Sequence, residues 1–132
     1  MSRENVEILS KCYDAVARRD LEAVIDLTHP DFEGTARTLE LEGRVYRGHD
    51  GARRLVEDIW RVFSDWHPEV VSAQGVGDAV VAEVRMAGRG VRSGVSVRER
   101  VWQVVKFRSG RILWMHGYVT KAEALEAVGL RE

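Results

Sequence analysis

The apolar residues of this chain change their period halfway along it, and that change limits the fold more than any other feature. In the first half they recur every three or four positions. Val6, Leu9, Tyr13 and Val16 form one stripe of a helix of about four turns. Asp20 stands as the N-cap of a second, shorter helix whose Leu21, Val24 and Ile25 share a face. His29-Pro30 ends that helix, because a residue before proline avoids helical backbone. Phe32 to Tyr46 reads as extended with Gly43 at its middle, as in a hairpin. Asp50, within Gly48-His49-Asp50-Gly51, caps a third helix in which Ala52, Leu55, Ile59, Phe63 and Trp66 repeat at helical spacing until Pro68.

Beyond Pro68 the period becomes two. Residues 70–74, 80–87, 95–107 and 112–119 read as four strands, separated by glycine-bearing turns at Gly75 to Asp78, Gly88 to Gly94 and Arg108 to Arg111. Thr120-Lys121-Ala122-Glu123 has the form of a capping box, so a short last helix starts there and ends near Gly129. Helices first and antiparallel strands later give an α+β fold with helices on one face of a strongly curved sheet. At 132 residues there is room for one core, read as a single domain over 1–132.

Composition removes several classes of function. The 20 Lys and Arg balance 21 Asp and Glu, so the excess of positive charge that phosphate binding relies on is absent, and no nucleic-acid partner is expected. A single cysteine, Cys12, excludes an internal disulfide and a multi-cysteine metal site. No charged-then-apolar leader opens the sequence and no uncharged stretch approaches the roughly 18 residues that span a bilayer, so the reading is cytoplasmic with no membrane partner. The histidines lack convergent partners, and neither a P-loop nor a G-x-G-x-x-G follows a strand; no metal and no cofactor are expected.

Tyr13 in the opening helix, Arg19-Asp20-Leu21-Glu22-Ala23, His29-Pro30-Asp31-Phe32-Glu33, Tyr46-Arg47-Gly48-His49-Asp50-Gly51, Phe107-Arg108-Ser109-Gly110-Arg111-Ile112 and the closing Ala122 to Leu130 carry a resemblance. Over nearly its whole length the chain resembles the SnoaL-like branch of the nuclear transport factor 2-like superfamily. That resemblance implies a cystatin-like α+β barrel: a cone-shaped, curved antiparallel or mixed sheet wrapped around N-terminal helices, with a pocket between them, usually as a homodimer. It also implies candidate chemistry, since the family includes polyketide cyclases, ketosteroid isomerases and epoxide hydrolases. Carried over position by position, the family's catalytic groups fall on Cys12, Ala36, Val84, Met86, Gln103 and Gly117, which leaves no known catalytic set intact.

Which side chains enter the pocket depends on the last hairpin. A two-residue turn at Ser109-Gly110 sets Gln103 against His116, whereas a three-residue loop with a bulge sets Gln103 against Met115; Gly110 and the resemblance select the second. The concave face then carries Glu99, Val101, Gln103 and Val105 beside Leu113, Met115, Gly117 and Val119. The convex face carries Arg100, Trp102 and Val104 beside Ile112, Trp114, His116 and Tyr118.

The expected pocket lining is Phe32, Trp60, Phe63, Val101, Gln103, Met115, Gly117 and Val119, which suits a small apolar molecule held by shape with one or two polar contacts. Gln103, Glu99 and Tyr13 are the weak catalytic candidates. Gln103 reads equally as a core-edge amide, Glu99 reads as a solvated rim residue between Arg98 and Arg100, and Tyr13 as a core aromatic. On the other side, Trp102, Val104, Trp114, His116 and Tyr118 form an apolar patch expected to make a homodimer, unless the last helix folds over it. The two functions in view are therefore a small-molecule pocket protein of cyclase or isomerase type and a non-catalytic homodimerisation or protein-interaction module.

Overall fold

The periodicity of the first half becomes three helices. The computed structural model describes residues 2–35 and 44–130, and among them α1 runs Ser2–Arg18, α2 Leu21–Asp26 and α3 Gly48–Val62. The strands are β1 Thr28–Gly34, β2 Tyr46–Arg47, β3 Phe63–Val76, β4 Ala79–Gly90, β5 Ser96–Arg108 and β6 Arg111–Tyr118, followed by α4 Lys121–Ala127. Ala36 and Gly43 lie outside the described residues. Among the described residues no helix is long and apolar enough to cross a membrane.

On α1 the stripe of Leu9, Cys12, Tyr13 and Val16 is buried. The chain reverses at Arg19, a left-handed residue with φ of 61°, and Asp20 then caps α2 by accepting from Ala23 N at 3.1 Å. Helix α2 stops at Asp26, earlier than proline requires. Thr28 opens β1 and its hydroxyl donates back to Val24 O at 2.7 Å, so His29-Pro30 sit inside the strand, where pairing with β6 is interrupted between Thr28 and Glu33.

Two further boundaries differ from the sequence reading. The N-cap of α3 is Arg47, without a side-chain cap; Asp50 lies in the first turn, where its carboxylate accepts from Arg53 at 3.2 Å. The same helix ends at Val62. Phe63 and Trp66 belong to β3, and they keep helix-like spacing because Asp65, at φ of 60°, and a break in pairing between Ser64 and His67 turn both rings to the same side. Tyr46 ties β2 to α3 by donating to Asp58 Oδ2 at 2.8 Å, while Arg61 donates to Oδ1 at 2.8 Å. Burial pushes the Asp58 carboxyl up, but these hydrogen bonds and the charges of Arg61 and Arg44 prevail and hold it below its ordinary range.

The six strands form one mixed sheet in the order β2-β1-β6-β5-β4-β3, antiparallel throughout except where β1 lies parallel to β6. The β5–β6 hairpin departs from both expected registers. Ser109 and Gly110 have φ of 54° and 71°, as a two-residue type I′ turn demands, and Arg108 faces Arg111. The extra residue falls at Leu113, after which Lys106 pairs with Trp114, Val105 with Met115 and Gln103 with Gly117. Ile112 therefore pairs with Phe107 and faces the concave core, not the convex side. Beyond the bulge, Met115 and Gly117 share the concave face with Val105 and Gln103, as the sequence suggested.

The concave side holds the main core, in which Leu9, Val80, Val84, Val101, Val105 and Ile112 are fully buried, each contributing about 1.5–3 kcal/mol of transfer free energy. The convex side is covered in part. Ala124 and Leu125 of α4 pack on Val81 and Val104, with Trp102, Trp114 and Tyr118 at the margin. A complete capping box starts α4: Thr120 Oγ1 accepts from Glu123 N at 3.2 Å, and the Glu123 carboxylate accepts from Thr120 N at 3.2 Å. Thr120→Ala is expected to cost about 1 kcal/mol in urea unfolding and to red-shift tryptophan emission as the rings under α4 meet water.

Candidate functional site

Helices α1 and α3 meet the concave sheet over a cavity of about 80 Å³. From α1 come Cys12, Tyr13 and Val16; from α3 come Ala52, Leu55, Val56 and Ile59. The sheet contributes Phe32, Trp66, Met86, Gln103, Ile112 and Met115. Phe32 curls back over Gly34, where a Cβ would collide with the ring, so glycine at this position is what lets the phenyl group lie against the cavity.

Two buried polar groups in this lining are unpaid for. Tyr13 is 6% exposed and Gln103 4%, and neither Tyr13 Oη nor Gln103 Oε1 has a hydrogen-bond partner among the described residues. Thr28, by contrast, uses its hydroxyl on Val24 O. Burial pushes the Cys12 thiol up to about 12, and burial together with neighbouring Cys12 raises the Tyr13 phenol well above its usual value. Both keep their protons at neutral pH. Among the described residues the lining contains no carboxylate, imidazole or ammonium group. Such a site can donate from Tyr13 and accept at Gln103, but among the described residues no lining side chain is poised to take a proton near neutral pH.

Of the residues expected in the lining, the structure brings together Phe32, Gln103 and Met115, with Tyr13 from the catalytic candidates. Trp60 stands aside: its Nε1 donates to Val16 O at 3.0 Å and Arg19 lies over its ring, so it ties α3 to α1. Phe63 stacks on the far side of Trp66, with ring centroids 4.7 Å apart. Val101 is buried in the core opposite Val84, outside the lining, and Gly117 faces Gln103 without lining the cavity. Val119 follows the end of β6 and is 56% exposed. Glu99 pairs with Met86 toward the open end of β5 and is half-buried, outside the lining. Reading the sequence missed Ile112, because the bulge at Leu113 reverses its side, and it missed Trp66 as a lining residue.

The convex residues Trp102, Val104, Trp114, His116 and Tyr118 do share one face, but it is not the open patch expected. Val104 is fully buried beneath α4, and Lys121 lies over the Trp102 ring. Trp114 stacks on His116 with centroids 3.9 Å apart, under Lys106. A carboxylate does face the imidazole: His116 Nε2 lies 3.1 Å from Glu33 Oε2, and Glu33 is in turn 3.7 Å from Arg47. Among the described residues no group of three or more potential metal ligands gathers.

The SnoaL-like domain model matches residues 9–115, and the chain belongs to that family. Its fold is that of the nuclear transport factor 2-like and ketosteroid isomerase-like proteins. A protein of ketosteroid isomerase-like fold from Catenulispora acidiphila, solved in complex with trimethylamine, is similar with a TM-score of 0.76 at 17% identity over 94% of this chain and 93% of that one. A candidate SnoaL-like polyketide cyclase from Jannaschia sp. gives 0.75 at 16% identity over 98% and 94%. An epoxide hydrolase of the limonene type from M. tuberculosis gives 0.73 at 16% over 96% and 90%. At these identities the likeness shows the fold. No curated protein sequence matches this chain. Of the positions the resemblance assigned to catalytic groups, Cys12, Met86 and Gln103 line the cavity, whereas Val84 is core.

Two outcomes follow from these environments. Removing the orphaned hydroxyl in Tyr13→Phe is expected to stabilise the protein by about 1 kcal/mol in chemical denaturation, since the desolvated group disappears and its shape is kept. Burial lowers the His116 pKa below its ordinary 6.5, with Lys106 adding to the effect and Glu33 opposing it. The folded state thus disfavours imidazolium more than the unfolded chain does. Stability carried by the neutral ring above pH 6.5 is lost as pH falls from there through the lowered value. His116→Gln is expected to flatten the stability-versus-pH curve in that window, as read from urea midpoints.

Proposed function

We infer that this SnoaL-like chain is a pocket protein that holds a small, largely apolar molecule beneath α1 and α3. The observation that carries this reading is the cavity beneath α1 and α3, in which, among the described residues, the lining is uncharged and the only unpartnered buried polar side-chain atoms are Tyr13 Oη and Gln103 Oε1. A packed core of natural density leaves few voids larger than a water molecule, and buried polar groups are normally satisfied; a ligand explains both departures at once. Chemistry of cyclase or isomerase type would draw on polarisation by Tyr13 and Gln103, because the described lining residues supply no base.

Toluene is a suitable probe for the cavity itself. A ligand that binds only the folded state stabilises it by about 2.7 kcal/mol at a hundredfold excess over Kd, so the melting temperature is expected to rise by several degrees. Ala52 lines the cavity from α3, and Ala52→Leu is expected to fill the space and abolish that rise. A toluene response that survives Ala52→Leu would place binding elsewhere.

A second reading, association of two copies through the convex face, is supported by the rings of Trp114 and Tyr118, which stay only half-buried at the edge of α4. Light scattering of the native chain and of Trp114→Glu distinguishes a dimer of this kind from a monomer.

A further inference from the structure

The polar atoms in the cavity also restrict what kind of molecule fits it. Tyr13 Oη carries a proton and has nothing to give it to; Gln103 Oε1 has lone pairs and nothing to receive. The two are not bonded to each other, although both line the same cavity. An occupant that leaves either unmatched inherits the cost of the buried group, whereas one that supplies a donor to Gln103 and an acceptor to Tyr13 removes both. A hydroxyl is the smallest group that does both. A formal charge finds no counter-ion among the described lining residues, all of which are neutral. The volume of about 80 Å³ encloses only a few non-hydrogen atoms, so a ring-sized occupant reaches from the polar pair toward the open side of the cavity.

Resting on the pocket reading above, we propose that the cavity selects a small uncharged hydroxy compound, its hydroxyl set between Tyr13 Oη and Gln103 Oε1 and its hydrocarbon part against Phe32, Trp66 and Ile112. Tyr13 and Gln103 are then specificity-determining residues, and Gln103 is the one that turns away carboxylates, since its unpartnered atom repels a second acceptor. The apolar lining supplies most of the affinity; the two polar atoms supply the discrimination.

Calorimetric titration of the full chain with four probes of seven non-hydrogen atoms each, phenol, toluene, cyclohexylammonium and valerate, tests this. Phenol is expected to bind about tenfold more tightly than toluene, and neither charged probe to bind measurably. In Gln103→Leu and in Tyr13→Phe the preference for phenol is expected to fall severalfold each while toluene affinity stays within about twofold. Retained toluene binding also reports that the variants are folded, and Gln103→Met serves in place of Gln103→Leu if the latter does not express. Equal affinity for phenol and toluene overturns the proposal and leaves the pocket reading standing. So does a charged probe that binds as tightly as phenol, or a phenol preference that survives both substitutions. If neither phenol nor toluene binds, the pocket reading fails and the proposal falls with it.

Discussion

The two-residue loop that closes β5 onto β6 is of type I′, which matches the twist of the strands because both of its residues, Ser109 and Gly110, adopt left-handed backbone. Because the loop takes just two residues, the hairpin's extra residue is pushed along the strand to Leu113. That single displacement decides what stands on each side of β6. Ile112 turns inward to meet Phe107, Trp114 and His116 stay outside, and Met115 returns to the cavity opposite Val105. Had the bulge been absorbed in the loop, the base of the cavity would have been built from Leu113.

The charges are arranged around this interior and not within it. Asp58 is satisfied by Tyr46, Arg61 and Arg44 at the junction of β2 and α3, and Glu33 by His116 and Arg47 on the outer side of β1 and β6. Both of these carboxylates therefore meet donors outside the cavity. Against that pattern, Tyr13 and Gln103 stand out as groups the fold carries at a cost of about 1–3 kcal/mol each. Local departures from polar satisfaction of this sort concentrate at sites where another molecule completes the pairing.

Much of the architecture was legible in the sequence because it is written in local signals. The stripe on α1, the Asp20 cap, the Thr120 capping box and the alternation along β4 and β5 act over a few residues, and each is found where those signals place it. Signals that depend on partners were not legible. Phe63 and Trp66 repeat as a helix would, yet they are strand residues, since the kink at Asp65 counterfeits the helical period. Val119 alternates correctly with Gly117, but β6 ends one residue earlier and leaves it in solvent. Trp102 and Val104 looked uncovered because a short C-terminal helix says nothing locally about the face on which it will dock. For the same reason the site was only half legible: Gln103 and Met115 follow from parity, whereas Ile112 depends on where the bulge falls.

The parallel contact of β1 with β6 has a kinetic meaning. Glu33 and His116 are 83 positions apart in the chain, and Ile112 N reaches Leu27 O across a similar interval at 2.9 Å. Bringing such distant segments together costs loop-closure entropy that antiparallel neighbours such as β3, β4 and β5 avoid. Those three strands can zip in sequence, each from the previous turn, while β1 must wait until the C-terminal hairpin has formed. The wall that joins Phe32 to Ile112 and Met115 is then among the last parts of the molecule to be sealed on folding.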